Sequence, residues 1–305
     1  MTATAPARHE LELETRLQRR RFASMGVAIE CLLDAEEPGG SLFHEVELEF
    51  ARLEAIFTRF RPDSELSRLN RLGRLRCSPE LVEVLGRAVR AREETGGRFD
   101  PSVHDAVVAA GYNRTFAEIA PDADGPEPEP ERCGGAIAVD APARIVTLGP
   151  GVRIDLGGIV KGFAAERGCD LLAAAGPCLV NAAGDLAVRG TPSEGVWPVA
   201  VEPAAGRLTL GLRRGGLATS GRDHRRWRRN GRELHHLIDP ATGRPSATDL
   251  LSVTAFGADA VEAEIRAKAL FLAGEAAARA EADELAIPCV LVTEDGRTVS
   301  VGGIA

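Results

Sequence analysis

The segment VRIDLGGIVKGFAAE, residues 152–166, combines groups that could bind a phosphate. It predicts a strand ending at Asp155, a turn through Gly157 and Gly158, and a helix with Lys161 in its first turn. Such a turn offers backbone N–H groups and the positive end of a helix dipole to an anion. Lys161 adds a charge, and Asp155 adds a ligand for a metal or a sugar hydroxyl. A tight strand-to-helix turn is the alternative, because the spacing matches neither the dinucleotide fingerprint nor the P-loop.

A turn-rich segment, RPDSELSRLN at residues 61–70, offers further polar groups. Asp63 and Ser64 suit the cap of the helix that follows, because their side-chain oxygens accept backbone N–H groups. In the alternative interpretation, Arg68 and Asn70 approach a polar ligand. The capping interpretation is the favoured one.

Polar residues stand out at two other places. In GGRFDPSV (96–103), Asp100 follows a Gly-Gly pair, which suits an ordinary turn or a contact with an adenine or ribose. In LVNAAGDLAVRG (179–190), Asn181 and Asp185 interrupt an apolar strand. A buried polar group without a partner costs about 1–3 kcal/mol. These two residues therefore hold a network together or face a site.

His236 is the candidate base. It lies three residues before Asp239 and follows a hairpin that Asn230-Gly231 predicts. Histidine titrates near physiological pH, so this position suits a general base or a phosphate donor, and a structural histidine is the alternative. The arginine-rich hairpin before it is interpreted as a solvated edge strand and not as a nucleic-acid surface.

The elements that position these residues follow from hydrophobic spacing. Apolar residues at steps of three and four predict helices over 42–60, 79–95, 159–175 and 259–273. Shorter apolar runs predict strands, the first over 25–33. Strands and helices mix without regular βαβ alternation. The pattern predicts an α+β fold with mixed or antiparallel sheets and flanking helices.

Composition restricts the class of protein. A net charge of −8 argues against a general nucleic-acid binder, and no apolar run is long enough for a membrane helix. The six dispersed cysteines form no C-x-x-C pair and the N-terminus has no apolar signal region, so a cytoplasmic location is expected. Residues 1–22 are interpreted as a flexible or helical extension, and the acidic stretch at about 120–135 as an exposed loop.

Taken in order, the polar segments resemble the ApbE family of FAD:protein FMN transferases. The matching strings are RPDSELSRLN, GGRFDPSV, DLGGIVKGFAAE, LVNAAGDLAVRG, ATSG, HHLIDPATGRP and SVTAFGADAVEAEIRAKALFLAG. The resemblance implies a two-lobed fold related to the T-fold over residues 23–305, with FAD, usually with Mg2+, bound between the lobes. FMN then passes to a threonine or serine in a D-x-x-[ST]-G-A-[ST]-like motif of a target protein, and AMP is released.

The resemblance also assigns roles to positions. It implies contacts with FAD for Met25, Phe60, Arg98, Phe99, Asp100, Asp155, Lys161, His236 and Ile238. His236 is the candidate catalytic base or pyrophosphate contact. The backbone carbonyl of Gly158 and the carboxylate of Glu264 would reach the metal.

Two positions depart from the family pattern. Phe60 stands where members commonly carry tyrosine, so a phenolic hydrogen bond is missing while stacking remains. Lys268 stands where a threonine oxygen would ligate the metal, and an ammonium has only donors and repels Mg2+. Lys268 either replaces the metal in catalysis, which we favour, or points away and leaves a weakened Mg2+ site. A plain Glu264–Lys268 pair on a solvated helix face is the structural alternative.

Three functions are open on this basis. The first is an FMN transferase, and the residues that help to distinguish it from the other two are Lys268 and Phe60. A metal-independent or non-catalytic FAD-binding protein is the second. An FAD pyrophosphatase that yields FMN and AMP is the third.

Overall fold

The computed structural model describes residues 16–123, 129–201, 208–223 and 225–303. Its helices, in chain order, are α1 (Gly40–Phe57), α2 (Glu65–Leu72), α3 (Pro79–Glu94), α4 (His104–Ala109), α5 (Val160–Leu172), α6 (Ala260–Ala273) and α7 (Glu275–Glu284). The four helices predicted from apolar spacing are confirmed as α1, α3, α5 and α6. Ser64 caps α2 as expected, because its hydroxyl accepts the Ser67 N–H at 3.0 Å.

The strands are mostly short. In chain order they are β1 (Leu17–Ser24), β2 (Val27–Asp34), β3 (Arg74–Arg76), β4 (Asp122–Ala123), β5 (Ile137–Asp140), β6 (Ile145–Leu148), β7 (Cys178–Ala182), β8 (Asp185–Arg189), β9 (Trp197–Val201), β10 (Leu208–Leu212), β11 (Gly215–Gly221), β12 (Arg226–Arg229), β13 (Arg232–His235), β14 (Ile238–Asp239), β15 (Arg244–Pro245), β16 (Leu250–Gly257), β17 (Cys289–Thr293) and β18 (Thr298–Val301). The strand predicted over 25–33 is confirmed as β2.

An eight-stranded sheet forms the centre of the fold, with the order β1-β2-β7-β8-β11-β16-β17-β18. Neighbouring strands in it run antiparallel. The hairpin predicted at Asn230-Gly231 joins β12 to β13, and both turn residues have the positive φ that such a turn requires, 49° and 73°. The α+β prediction with antiparallel sheets and flanking helices is confirmed.

The N-terminal prediction is corrected by strand β1. Residues 17–22 were expected in a flexible or helical extension, but they belong to an edge strand that pairs with β2 over eight residues. Charged side chains such as Arg19 and Arg21, which pair with Glu30, are typical of a solvent-facing edge. Because of these charged residues, the sequence of β1 looks like that of a solvent-exposed extension. Residues 1–15 lie outside the described residues.

The acidic stretch expected to be a loop is largely exposed where it is described. Residues 129–135 have no regular structure, and residues 124–128 lie outside the described residues. Among the described helices, none has both the length and the apolar character needed to cross a membrane.

Helix α5 lies between helix α1 and the central sheet and is buried on nearly every side. A Cβ added at Gly168 of α5 would lie 3.2–3.3 Å from Val46 and Phe50 of α1 and from Val180 of β7. The apolar stripe of α1 covers this helix with Phe43, Val46, Phe50, Leu53 and Phe57. Each such buried side chain contributes about 1.5–3 kcal/mol. The start of α5 is therefore held rigidly.

Helix α5 crosses the N-terminal end of α6 at very close range. A Cβ added at Gly162 would lie 2.7 Å from the Ala260 carbonyl oxygen, so only glycine permits this crossing. Lys161 precedes that glycine, and Glu264 and Lys268 follow one and two turns after Ala260. The crossing therefore brings the three charged side chains to one place.

Candidate active site

A cavity of about 530 Å3 lies between the end of α1, the start of α5 and the link from β13 to β14. Eight residues predicted for the site line it: Met25, Phe60, Asp155, Gly158, Lys161, His236, Ile238 and Lys268. Residues far apart in the chain thus meet at one concave surface. The volume is typical of a small-molecule site.

The glycine turn at the floor of the cavity is fixed by its neighbours. The Asn70 side chain bonds both the N–H and the carbonyl of Ile154 at 2.8 Å, and the Asp155 N–H donates to the Pro101 carbonyl at 2.8 Å. One carboxylate oxygen of Asp155 accepts the Gly157 N–H at 2.7 Å. Asn70 therefore holds the turn in place instead of contacting a ligand.

An aromatic wall with one buried cation forms another side. The Arg59 guanidinium lies 4.3 Å from the Phe60 ring centroid and 4.6 Å from that of Tyr112, and its Nε pairs with Asp155 at 2.7 Å. Its Nη2 is buried and has no hydrogen-bond partner. Neither Arg59 nor Tyr112 was predicted from the sequence. Tyr112 is the only tyrosine in the chain, and this rarity was the one available signal.

The rings of the two adjacent histidines differ in their hydrogen bonding. His235 is structural, since its Nε2 bonds the Ser246 carbonyl at 2.9 Å and its Nδ1 accepts the Leu237 N–H at 3.3 Å. His236 lines the cavity, and its Nδ1 is buried without a partner. Burial, followed by the charges of Arg225 and Lys268, lowers the pKa of His236 well below its usual value. Its imidazole is therefore neutral at physiological pH.

Lys161 does not extend freely into the cavity. Its ammonium pairs with Asp185 at very short range and with Glu264 at 2.8 Å. Burial lowers the pKa of Lys161, but the two carboxylates outweigh that effect and raise the pKa above its usual value. Asp185 thus holds a network together, which is the first of the two interpretations offered for it from the sequence.

The residues present do not fit Mg2+. The second oxygen of Glu264 accepts the Gly162 N–H at 3.0 Å, so both carboxylate oxygens are in use. A Cβ added at Gly158 would overlap the Lys268 Nζ and lie 2.7 Å from its Cε. The Lys268 ammonium therefore lies against Gly158, the residue whose carbonyl was expected to face a metal. Within the described ranges, no group of three or more His, Cys, Asp or Glu side chains is arranged to hold a metal ion.

Three predicted FAD contacts lie outside the cavity lining. Arg98 pairs with Glu281 of α7 at 2.6 Å, which turns its guanidinium away. Asp100 closes a local turn, since one oxygen accepts the Ser102 N–H at 2.8 Å and the Ser102 hydroxyl at 2.6 Å. Phe99 is buried in the core, where its ring centroid lies 5.5 Å from the Lys268 Nζ. The segment from Arg98 to Asp100 therefore lies outside the cavity lining and approaches the site through the Phe99 ring next to Lys268.

Comparisons with known proteins agree with the resemblance in the sequence. A family model described as "ApbE family" matches residues 25–291. A protein of Treponema pallidum named "FAD:protein FMN transferase" is 29% identical over 272 residues, which cover 79% of this chain and 74% of that protein. A protein of Haemophilus influenzae with the same name is 28% identical over 278 residues and covers 83% and 79%.

Solved structures share the fold. The ApbE protein of Thermotoga maritima superposes with a TM-score of 0.82 at 22% identity, covering 93% of this chain and 97% of that chain. The flavin transferase ApbE of Vibrio cholerae gives a TM-score of 0.74 at 22% identity, with coverage of 93% and 97%. The overall architecture is therefore that of these proteins.

Proposed function

Because the chain belongs to the ApbE family, we propose that it is an FAD:protein FMN transferase that binds FAD in the cavity described above. FMN passes from FAD to a threonine or serine of an acceptor protein, and AMP leaves. The acceptor carries a D-x-x-[ST]-G-A-[ST]-like motif. All six cysteines are free thiols, which supports a reducing, cytoplasmic location as part of the proposal.

One observation carries the proposal: two buried polar groups without partners belong to residues that line the same cavity. They are the Nη2 donor of Arg59 and the Nδ1 of His236. Leaving such groups unpaired costs about 1–3 kcal/mol each, and charged groups cost more. A ligand that bonds the Arg59 guanidinium would recover this free energy at Nη2, and the hydroxyl of an acceptor protein would donate to the His236 Nδ1. The family membership makes FAD that ligand.

The chemistry of the lining supports binding of a flavin nucleotide. Phe60, Tyr112 and the Arg59 guanidinium present flat surfaces on which an aromatic ring system can stack. Arg225 and Lys268 contribute positive charge to the same cavity, which suits the two negative charges of a pyrophosphate. The ligand is thus recognised by its rings and by its phosphates.

The transfer step needs a nucleophile, a proton acceptor and a leaving group. The acceptor hydroxyl oxygen attacks the phosphorus on the FMN side, and the bond from that phosphorus to the bridging oxygen breaks. AMP leaves with the bridging oxygen, and the hydroxyl proton passes to the Nδ1 of His236. Bound pyrophosphate offsets the charges of Arg225 and Lys268, which raises the pKa of His236 and makes it a better base.

The test follows both products of the reaction. The protein is incubated with FAD and a domain that carries the acceptor motif, and the adduct mass and the AMP released are measured. We expect an acceptor with one FMN attached and an equal amount of AMP. Substitution of His236→Gln should slow transfer by about 10²- to 10⁴-fold, the usual contribution of a general base.

Other outcomes would support other functions. Free FMN and AMP without an adduct would identify a pyrophosphatase, and FAD that stays intact would identify a binding protein. His44→Gln is the matched control, since His44 lies on the exposed surface of α1 and is 68% exposed. Equal slowing by both histidine variants would contradict the role given to His236.

A further inference from the structure

The chain uses lysine at only two positions. Two of its 37 basic residues are lysines, Lys161 and Lys268, and all the others are arginines. Both lysines line the same cavity. Lysine carries a compact charge on a flexible stem, whereas the arginine guanidinium is a wide planar fork. The two lysines therefore mark positions where the cavity uses a compact cation, beside arginines such as Arg59 and Arg225.

The two ammonium groups have different surroundings. Lys161 is bonded to Asp185 and to Glu264. Among the residues that the structure describes, none forms a hydrogen bond or an ion pair with the Lys268 ammonium. The ammonium lies against the backbone of Gly158 and 5.5 Å from the centroid of the Phe99 ring. Burial lowers the pKa of Lys268, and the charges of Glu264 and Asp155, neither of which bonds the ammonium, do not fully offset that effect.

The close approach of Lys268 explains why position 158 carries no side chain. Any side chain at position 158 would overlap the Lys268 Nζ. The backbone of the glycine turn and the Lys268 ammonium therefore lie side by side, and the ammonium carries three N–H donors.

We propose that Lys268 is a built-in cation that binds a phosphate oxygen of the ligand and takes the place of a divalent metal ion at this site. The proposal rests on the proposed function for the identity of the ligand, FAD. It deepens that function, because it makes phosphate binding independent of added metal. The surroundings of Gly158 and Glu264 do not fit a Mg2+ ion, and this supports the same conclusion.

The experiment measures binding of three flavins in excess EDTA by flavin fluorescence. FAD and FMN carry phosphate, and riboflavin does not. Lys268→Met keeps the length of the side chain and removes the charge. We expect FAD to bind the unaltered protein equally with EDTA and with Mg2+. We expect Lys268→Met to weaken FAD binding by about 10- to 100-fold, the value of a hydrogen bond to a charged group, and to leave riboflavin binding unchanged.

A control on the same helix separates local from general charge effects. Arg266→Met removes one positive charge from α6, but Arg266 pairs with Glu262 at 2.6 Å and lies outside the cavity lining. This variant should bind all three flavins as the unaltered protein does. Lys268→Gln, a polar substitute, is measured in parallel, and urea unfolding confirms that each variant is folded.

Three results would overturn the proposal. They are FAD binding that requires Mg2+, unchanged FAD binding in both Lys268 variants, and an equal loss of riboflavin binding. The transfer assay is run separately so that the two proposals can fail independently. Binding of FAD through Lys268 without any adduct would contradict the transferase function alone. Adduct formation at the same rate in Lys268→Met would contradict the role of Lys268 alone.

Discussion

The two lysines of the cavity stand on crossing helices and have opposite surroundings. Lys161 at the start of α5 is neutralised by Asp185 and Glu264. Lys268 on α6 rests on Gly158, and no carboxylate of the described chain pairs with it. A buried cation with two carboxylates already has its counter-charges. A cation with no bonded carboxylate keeps its N–H donors available for an anionic ligand. On this difference rests the proposal that Lys161 is structural and that Lys268 binds phosphate.

The largest expected effect is on stability, from loss of the paired lysine. Lys161→Met leaves the buried carboxylates Asp185 and Glu264 facing each other without a cation. Breaking a buried ion pair from one side typically costs about 3–5 kcal/mol, so the free energy of unfolding should fall by that amount. Urea denaturation measures it. Lys268→Met should change it by less than about 1 kcal/mol, because no ion pair is lost.

A double variant checks the cause of that loss. Adding Asp185→Asn to Lys161→Met removes one of the unpaired charges and should recover part of the stability. If Lys161→Met and Lys268→Met were equally destabilising, the contrast between the two lysines would be wrong.

The next largest effect concerns a hydrogen bond between helices α5 and α6. Glu166 of α5 accepts the Val261 N–H of α6 at 2.8 Å, and burial, helped by the nearby Asp259 carboxylate, raises the pKa of Glu166 from 4.5 to about 7. A raised acid pKa favours the folded state at low pH, and this contribution is lost as the pH rises from about 4.5 to about 7.

Glu166→Gln should remove that pH dependence. Relative to the unaltered protein, the variant should gain about 1–3 kcal/mol of unfolding free energy between about pH 5 and about pH 8. Urea denaturation at both values measures the change. Parallel stability curves for the two proteins would show that Glu166 does not titrate in this range.

A smaller effect is expected from a methyl group under Lys268. Gly158→Ala places a Cβ where the Lys268 Nζ lies, so the ammonium must move and FAD binding should weaken by about tenfold. In the Lys268→Met background the same change should have less effect, because the two residues act together. Gly86→Ala in α3 is the control, since its nearest atom would be 3.8 Å away. Equal losses in both backgrounds would argue against this coupling.

The smallest effect is expected at the aromatic wall. Phe60→Tyr restores the residue common in the family, but the ring already stacks with Arg59 and lies beside Tyr112, 5.9 Å between centroids. FAD affinity, measured by fluorescence titration, should change by less than about twofold. A tenfold gain in FAD affinity would show that the missing tyrosine hydroxyl limits binding in this protein. It would also weaken the central role given to Lys268.

Hydrophobic spacing was sufficient to predict the main helices, whereas the site segments were proposed from polar motifs and from the family resemblance. Helices α1 and α5 have dense apolar patterns, and the hairpin at Asn230-Gly231 depends on turn chemistry within two residues. Strand β1 was missed because an exposed edge strand tolerates charged side chains such as Arg19 and Arg21. Local pattern predicts local structure, and β1 is defined by its pairing with β2.

The electrostatic contacts of the site could not be read from the sequence. Nothing in the spacing indicates that Lys161 would be held by Asp185 and Glu264, which lie 24 and 103 residues away. The segment from Arg98 to Asp100 was assigned to FAD by resemblance, yet its guanidinium faces α7 and its carboxylate closes a turn. Such pairings depend on how helices cross, and only the folded structure specifies that.

The most direct test of a built-in cation is the metal dependence of FMN transfer. The rate of adduct formation is measured with the unaltered protein, FAD and the acceptor domain, first in excess EDTA and then after Mg2+ is restored. The surroundings of Gly158 and Lys268 predict the same rate in both conditions. Transfer that stops in EDTA and returns with Mg2+ would contradict the account.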